Sequence, residues 1–200
     1  MMKSYPAINR LLHALFASMI VFQLFSEEMM KRPKLVDGVP RIRTDGQIFF
    51  FEMHEWFGIA LLLIVGMRVA LMLSNADEMR RLMPYFSCQR MQSVFTELKE
   101  IPGWFVGKLR APSEEDHLSG FVHGLGLLLA LAMAITGTAM FFGMNEIDGT
   151  MNDFVHIMKE LHEVLGELLW YYVIAHVAMG LFHQVKGHRS LQRISPFSRE

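Results

Sequence analysis

Four stretches of this chain are apolar for long enough to cross a hydrocarbon layer about 30 Å thick. They cover about residues 8–25, 48–73, 118–143 and 161–185. The second is interrupted by Arg68, the third holds no charge at all, and the fourth is almost entirely apolar after Glu167. Charged residues and Gly/Pro clusters separate them: Pro33, Gly38 and Pro40 in the first loop, Asn145 to Gly149 in the third. The expected fold is all-α, an integral membrane four-helix bundle that forms one membrane domain over residues 1–200.

The second loop, residues 74–117, has a pattern of its own. Met91, Val94, Phe95 and Leu98 recur at i, i+3, i+4 and i+7, with Gln92, Glu97, Lys99 and Glu100 around them. That spacing predicts an amphipathic helix lying on the membrane face, with Trp104 and Phe105 as interfacial anchors. The N-terminus, with Lys3 and Arg10 ahead of Leu11 to Phe25, imitates a signal peptide. It ends in Ser26-Glu27-Glu28 without a small-residue cleavage pattern, so it reads as a retained membrane anchor.

Lys and Arg in the flanks orient the bundle. The N-terminus, second loop and C-terminal tail, placed on one side, carry about twice as many as the first and third loops. Both termini are therefore expected in the cytoplasm. Composition excludes several function classes. A net charge of −1 gives no reason to expect nucleic acid, and 52% apolar residues suit a membrane chain. The single cysteine, Cys88, excludes an internal disulfide and any multi-cysteine metal or iron–sulfur site within one chain. The 17 methionines read as apolar filler. No nucleophile–base set, phosphate loop or nicotinamide fingerprint is visible, and no catalytic residue is assigned.

The candidate chemistry lies in the histidines. His162 and His176 are fourteen residues apart on the fourth span, which returns the second to within ~40° of the first and ~21 Å along the same face. Imidazole inside a membrane is costly and usually functional. By depth, His13 and His176 stand level near the cytoplasmic side, while His54 and His162 stand level near the outer side. Two level pairs suit two bis-imidazole haem b sites, with saturated iron adapted to electron transfer. His123, also near the cytoplasmic end of its helix, competes with His13 as the partner of His176. His117, His156 and His188 fall in loops or tail and read as solvated. His183, one heptad beyond His176, is placed near a haem or quinone edge or at the interface. Arg68 follows His54 by fourteen residues and so projects at the level of the cytoplasmic haem, where it either snorkels to the headgroups or, the reading favoured here, meets a propionate as its anionic partner.

These residues resemble the prokaryotic cytochrome b561 family of four-helix di-haem membrane cytochromes. The resemblance is carried by Arg10 and His13, then by His54, Gly58 and Arg68, by Thr136-Gly137, and by His162-Glu163, His176 and His183. It covers all four spans. In that family the axial ligands fall on His13, His54, His162 and His176. The resemblance implies two haem b per chain and electron exchange with the quinone pool; one branch oxidises superoxide and reduces ubiquinone. Three departures stand out: Ala14 where an aromatic residue is usual, the long second loop, and acidic outer loops.

Two functions follow from the resemblance and a third competes with both. The first is electron transfer between quinone and a second donor or acceptor, such as a periplasmic or subunit partner protein. The second is a stand-alone superoxide:ubiquinone oxidoreductase. The third is a haem-free transporter or metal-binding bundle, against which the two level pairs speak. In the third loop Glu146, Asp148, Asp153 and Glu160 face only Lys159, and Glu55 and Glu163 adjoin the outer histidines. Such a rim repels an anion and steers in a basic carrier, which favours the first function.

Overall fold

The computed structural model describes residues 6–30, 43–106, 117–144, 152–188 and 190–197, and every regular element among them is helical. Pro33, Gly38 and Pro40, the run Asn145 to Gly149 with Glu146 and Asp148, the side chain of Phe105, and loop or terminal basic residues such as Lys3, Lys31, Arg32, Lys34, Arg41, Lys108, Arg110 and Arg189 lie outside the described residues. In chain order the helices are α1 (Ala7–Met30), α2 (Asp45–Ser74), α3 (Ala76–Leu82), α4 (Cys88–Phe105), α5 (His117–Gly143), α6 (Asp153–Val185) and α7 (Ser190–Ile194), with a 3-10 turn at Pro84–Phe86.

Helices α1, α2, α5 and α6 are long and apolar enough to cross a membrane. Large side chains such as Trp56, Leu63, Phe142 and Tyr171 point outward, each more than half exposed. In water that surface would drive aggregation; in hydrocarbon it is matched, and a helix satisfies its own backbone there. The inward residues form one core of Ile20, Leu24, Leu61, Val65, Leu127, Ala130 and Leu169. Close packing runs α1 to α2, α2 to α5 and α5 to α6.

Polar caps set the helix starts. Thr44 and Gln47 form a reciprocal capping box: the Gln47 N–H donates to Thr44 Oγ1 at 3.3 Å, and the Thr44 N–H donates to Gln47 Oε1 at 3.0 Å. Asn152 Oδ1 accepts from the Val155 N–H at 2.9 Å, so α6 begins at Asp153 and not at the expected residue 161. Apolar runs mark the part of a helix in lipid, whereas the cap marks where the helix starts. The added turns are polar, with a Lys159–Glu163 ion pair of 2.5 Å at i, i+4.

Helices α3, α4 and α7 gather at the end of the bundle where α1 begins, termed the inner end. Helix α4 packs on α5; its Val94 is buried, while Phe95 and Leu98 stay exposed. Glu97 caps α5: its Oε1 accepts from the His117 N–H at 3.2 Å and its Oε2 from the Leu118 N–H at 2.8 Å. A carboxylate is favoured at that positive helix end. The amphipathic helix of the second loop is thus present, and it is fastened to the bundle.

Helix α3 sits against α5 at two glycines one turn apart. A Cβ on Gly120 would strike the Arg81 carbonyl, and one on Gly124 would strike the Leu82 carbonyl. Backbone cannot yield as a side chain can. Gly124→Ala is therefore expected to destabilise this end by about 1–3 kcal/mol or more. Thermal unfolding in detergent checks it, since an unchanged midpoint would mean that α3 is not held there.

Candidate functional site

Two histidines of helix α6, one toward each end of the bundle, each meet a histidine from a helix that is not its close neighbour. At the inner end the ring centres of His13 (α1) and His176 (α6) are 6.5 Å apart. At the opposite, outer end those of His54 (α2) and His162 (α6) are 6.3 Å apart. Two imidazoles bound trans to one metal by bonds of about 2 Å have ring centres roughly 6 Å apart. Both pairs have that spacing.

The inner pair borders a cavity of about 320 Å³ lined also by Arg10, Arg68, Glu78, Arg81 and His123. Tyr172 stacks on His176, with ring planes 13° apart, and its hydroxyl donates to the Val122 carbonyl at 3.1 Å. Gly126 makes room for that phenol, because a Cβ there would collide with the ring. His123 also reaches His176, at 5.2 Å between ring centres. Its Nδ1 lies 2.6 Å from the Ser119 carbonyl, which can only accept, so His123 holds its proton at Nδ1.

Arg68 lines this inner cavity, as its fourteen-residue step from His54 predicts. Its Nη2 donates to Glu78 Oε1 at 2.7 Å, with both side chains about one-fifth exposed. Its Nη1 is buried and without a hydrogen-bond partner among the described residues. The ion pair with Glu78, from α3, is absent from any reading of helix periodicity.

At the outer end two hydroxyls reach the histidines. Ser26 Oγ lies 3.0 Å from His54 Nδ1, and Thr136 Oγ1 lies 2.9 Å from His162 Nδ1. Gln23 Nε2 donates to the His54 carbonyl at 3.0 Å, joining α1 to α2 at this level. Gly137 leaves space for His162, whose Cε1 would stand 3.1 Å from an added Cβ. Sequence reasoning took Ser26 as the polar end of an apolar run and assigned Gln23 no part.

The remaining histidines divide. His117 is partly exposed and its Nδ1 lies 3.3 Å from Glu97 Oε1. His156 is exposed beside Glu160, on the first turn of α6 and not in a loop. His188 Nδ1 lies 3.0 Å from His183 Nδ1, and the Trp104 ring packs 5.8 Å from that of His183. Trp104 therefore faces inward against α6 and is not a free interfacial anchor. A second cavity, of about 450 Å³, lies between α4, α5, α6 and α7, with Glu97, Trp104, His123, His176 and His183 among its walls. The indole Nε1 of Trp104 is buried and has no acceptor among the described residues. No three His, Cys, Asp or Glu side chains among the described residues converge on a bare metal site.

A family model described as prokaryotic cytochrome b561 matches residues 4–196. No curated protein and no solved structure matches the chain.

Proposed function

The chain belongs to the prokaryotic cytochrome b561 family, and from that premise we propose that it passes electrons across part of the bilayer through two haem b groups, between the quinone pool and a second donor or acceptor. Family membership makes it a membrane b-type cytochrome of electron transfer. The finer reading is that His54 and His162 hold one haem and His13 and His176 the other. The observation that carries it is the near-equal ring separation of the two pairs, 6.3 and 6.5 Å. The residues present fit the group: facing imidazoles in an apolar bundle, with Arg10, Arg68 and Arg81 on the inner cavity to meet propionates. Held between these imidazoles, haem would supply one-electron chemistry.

His123 is the weaker ligand for the inner site. Its ring centre is 5.2 Å from that of His176, too close for two imidazoles trans on one iron.

Quinone exchange fits the inner end. The 450 Å³ cavity has His176 in its wall, a size usual for small-ligand sites, and a buried indole N–H in want of an acceptor. A quinone carbonyl oxygen is such an acceptor. His183 and Glu97, in the same wall, are placed to move protons at the headgroup. The opposite rim suits a basic partner protein: Glu52 and Glu163 are exposed near the outer pair, and Glu160 stands one turn beyond. Both termini then face the cytoplasm, in the bacterial inner membrane.

Two haem b per chain, neither covalently attached, should appear in a pyridine haemochrome assay of the purified protein. Quinol should reduce both. A ratio near one would overturn the paired sites, and two haems that quinol fails to reduce would overturn the quinone assignment.

A further inference from the structure

We propose that Ser26 and Thr136 fix the tautomer of the two outer histidines, so that each imidazole keeps its proton on Nδ1 and turns the lone pair of Nε2 toward the other ring. The inference rests on the reading that this pair holds a haem, and it names two positioning residues that reading does not include.

The hydrogen-bond arithmetic is short. Ser26 Oγ lies 3.0 Å from His54 Nδ1 and 3.0 Å from the Gln23 carbonyl. Thr136 Oγ1 lies 2.9 Å from His162 Nδ1, 2.9 Å from the Ala132 carbonyl and 3.1 Å from the Met133 carbonyl. A hydroxyl has one proton to give and a carbonyl has none. With the hydroxyl proton directed to a carbonyl, the imidazole nitrogen must be the donor. The reverse assignment would put the ring proton on Nε2, where neither His54 nor His162 has a hydrogen-bond partner among the described residues. An N–H buried without an acceptor costs about 1–3 kcal/mol. Both hydroxyls are enclosed, Ser26 at 0% and Thr136 at 6% exposure, so water does not compete for them.

The device occurs twice in the same form. In the α1–α2 hairpin a hydroxyl late in one helix holds an imidazole early in the next, 28 residues on. In the α5–α6 hairpin the same happens 26 residues on. The inner pair lacks it: His13 and His176 make ring contacts, with no hydrogen bond at either imidazole among the described residues. A donated Nδ1–H bond orients the ring and makes Nε2 a better electron donor. The two sites are therefore built to differ, with the oxidised state favoured more at the outer one.

The test uses Thr136→Val, which keeps the shape and removes the hydroxyl, and Ser26→Ala, with Thr136→Ser restoring the hydroxyl alone. Wild type and His162→Ala are measured first, to establish two haems and identify the outer one; failure at this step overturns the haem reading and this inference with it. In Thr136→Val and Ser26→Ala the outer haem should be lost to an apo-protein acceptor roughly 10–100-fold more readily. Its potential should rise while that of the inner haem stays. Thr136→Ser should recover both. With two haems present, an outer haem that is retained at unchanged potential in Thr136→Val and Ser26→Ala overturns the proposal. So does an equal shift at both haems, or a loss that Thr136→Ser shares, which would make the role one of packing.

Discussion

His162→Ala should remove the outer haem completely and leave the inner one in place, while His176→Ala should do the converse. Helix α6 supplies one member of each pair, so these substitutions separate the two sites within a single helix. Each would take away one of the two imidazoles proposed to hold a haem and leave a void where that ring stood. The pairing then predicts the partners. His54→Ala should reproduce the spectrum of His162→Ala, and His13→Ala that of His176→Ala. The discriminating case is His123. Its ring is the nearer one to His176, yet its Nδ1 is tied to Ser119 and its spacing is too short for a shared iron. His123→Ala should therefore retain two haems. Low-temperature absorption spectra of the five variants decide this. Loss of the inner haem in His123→Ala together with its survival in His13→Ala would reverse the assignment on α1.

The four apolar helices were legible because a membrane span announces itself by length and by lack of charge, and both are local properties. The two histidine pairs were legible for a similar reason. A fourteen-residue step on one helix and a count of depth from each helix end need no knowledge of how helices rotate against one another. What the sequence hid depends on that rotation. Whether the hydroxyl of Ser26 turns toward α2 or toward lipid is decided by the packing of α1 on α2. In sequence it is only a serine next to Glu27 and Glu28. Thr136 stood out through family resemblance, and the contact with His162 Nδ1 is what gives it a role. The same limit applied to the second loop. Periodicity gave the apolar face of α4 but not the docking of Glu97 on the N-terminus of α5, a contact across 20 residues. Glu78 was passed over because nothing in α3 points to an arginine ten residues earlier on a different helix.

That arginine gives the second large effect: Arg68→Leu should lower the potential of the inner haem. The side chain holds Glu78 at 2.7 Å on the rim of the inner cavity, and its other terminal nitrogen is buried and unpartnered. In wild type the pair is close to neutral as seen from the haem site, with the spare N–H available to a propionate. Removing Arg68 leaves the largely buried Glu78 carboxylate uncompensated, and this net change of one unit charge favours oxidised iron. A unit charge about 10 Å away is worth about 1.7 kcal/mol at an effective dielectric of about 20, on the order of 70 mV for a one-electron couple. Glu78→Gln should shift the inner haem in the opposite direction, because it leaves the guanidinium unopposed. The double variant Arg68→Leu with Glu78→Gln removes both charges and should return most of the way to wild type, losing only the propionate contact. Arg68→Lys should fall between, since it restores the charge without the planar fork. Redox titration of the inner haem, isolated in a His162→Ala background, measures all four. Shifts of the same sign in Arg68→Leu and Glu78→Gln would mean that the two residues act by holding α3 against the bundle and not through their charges.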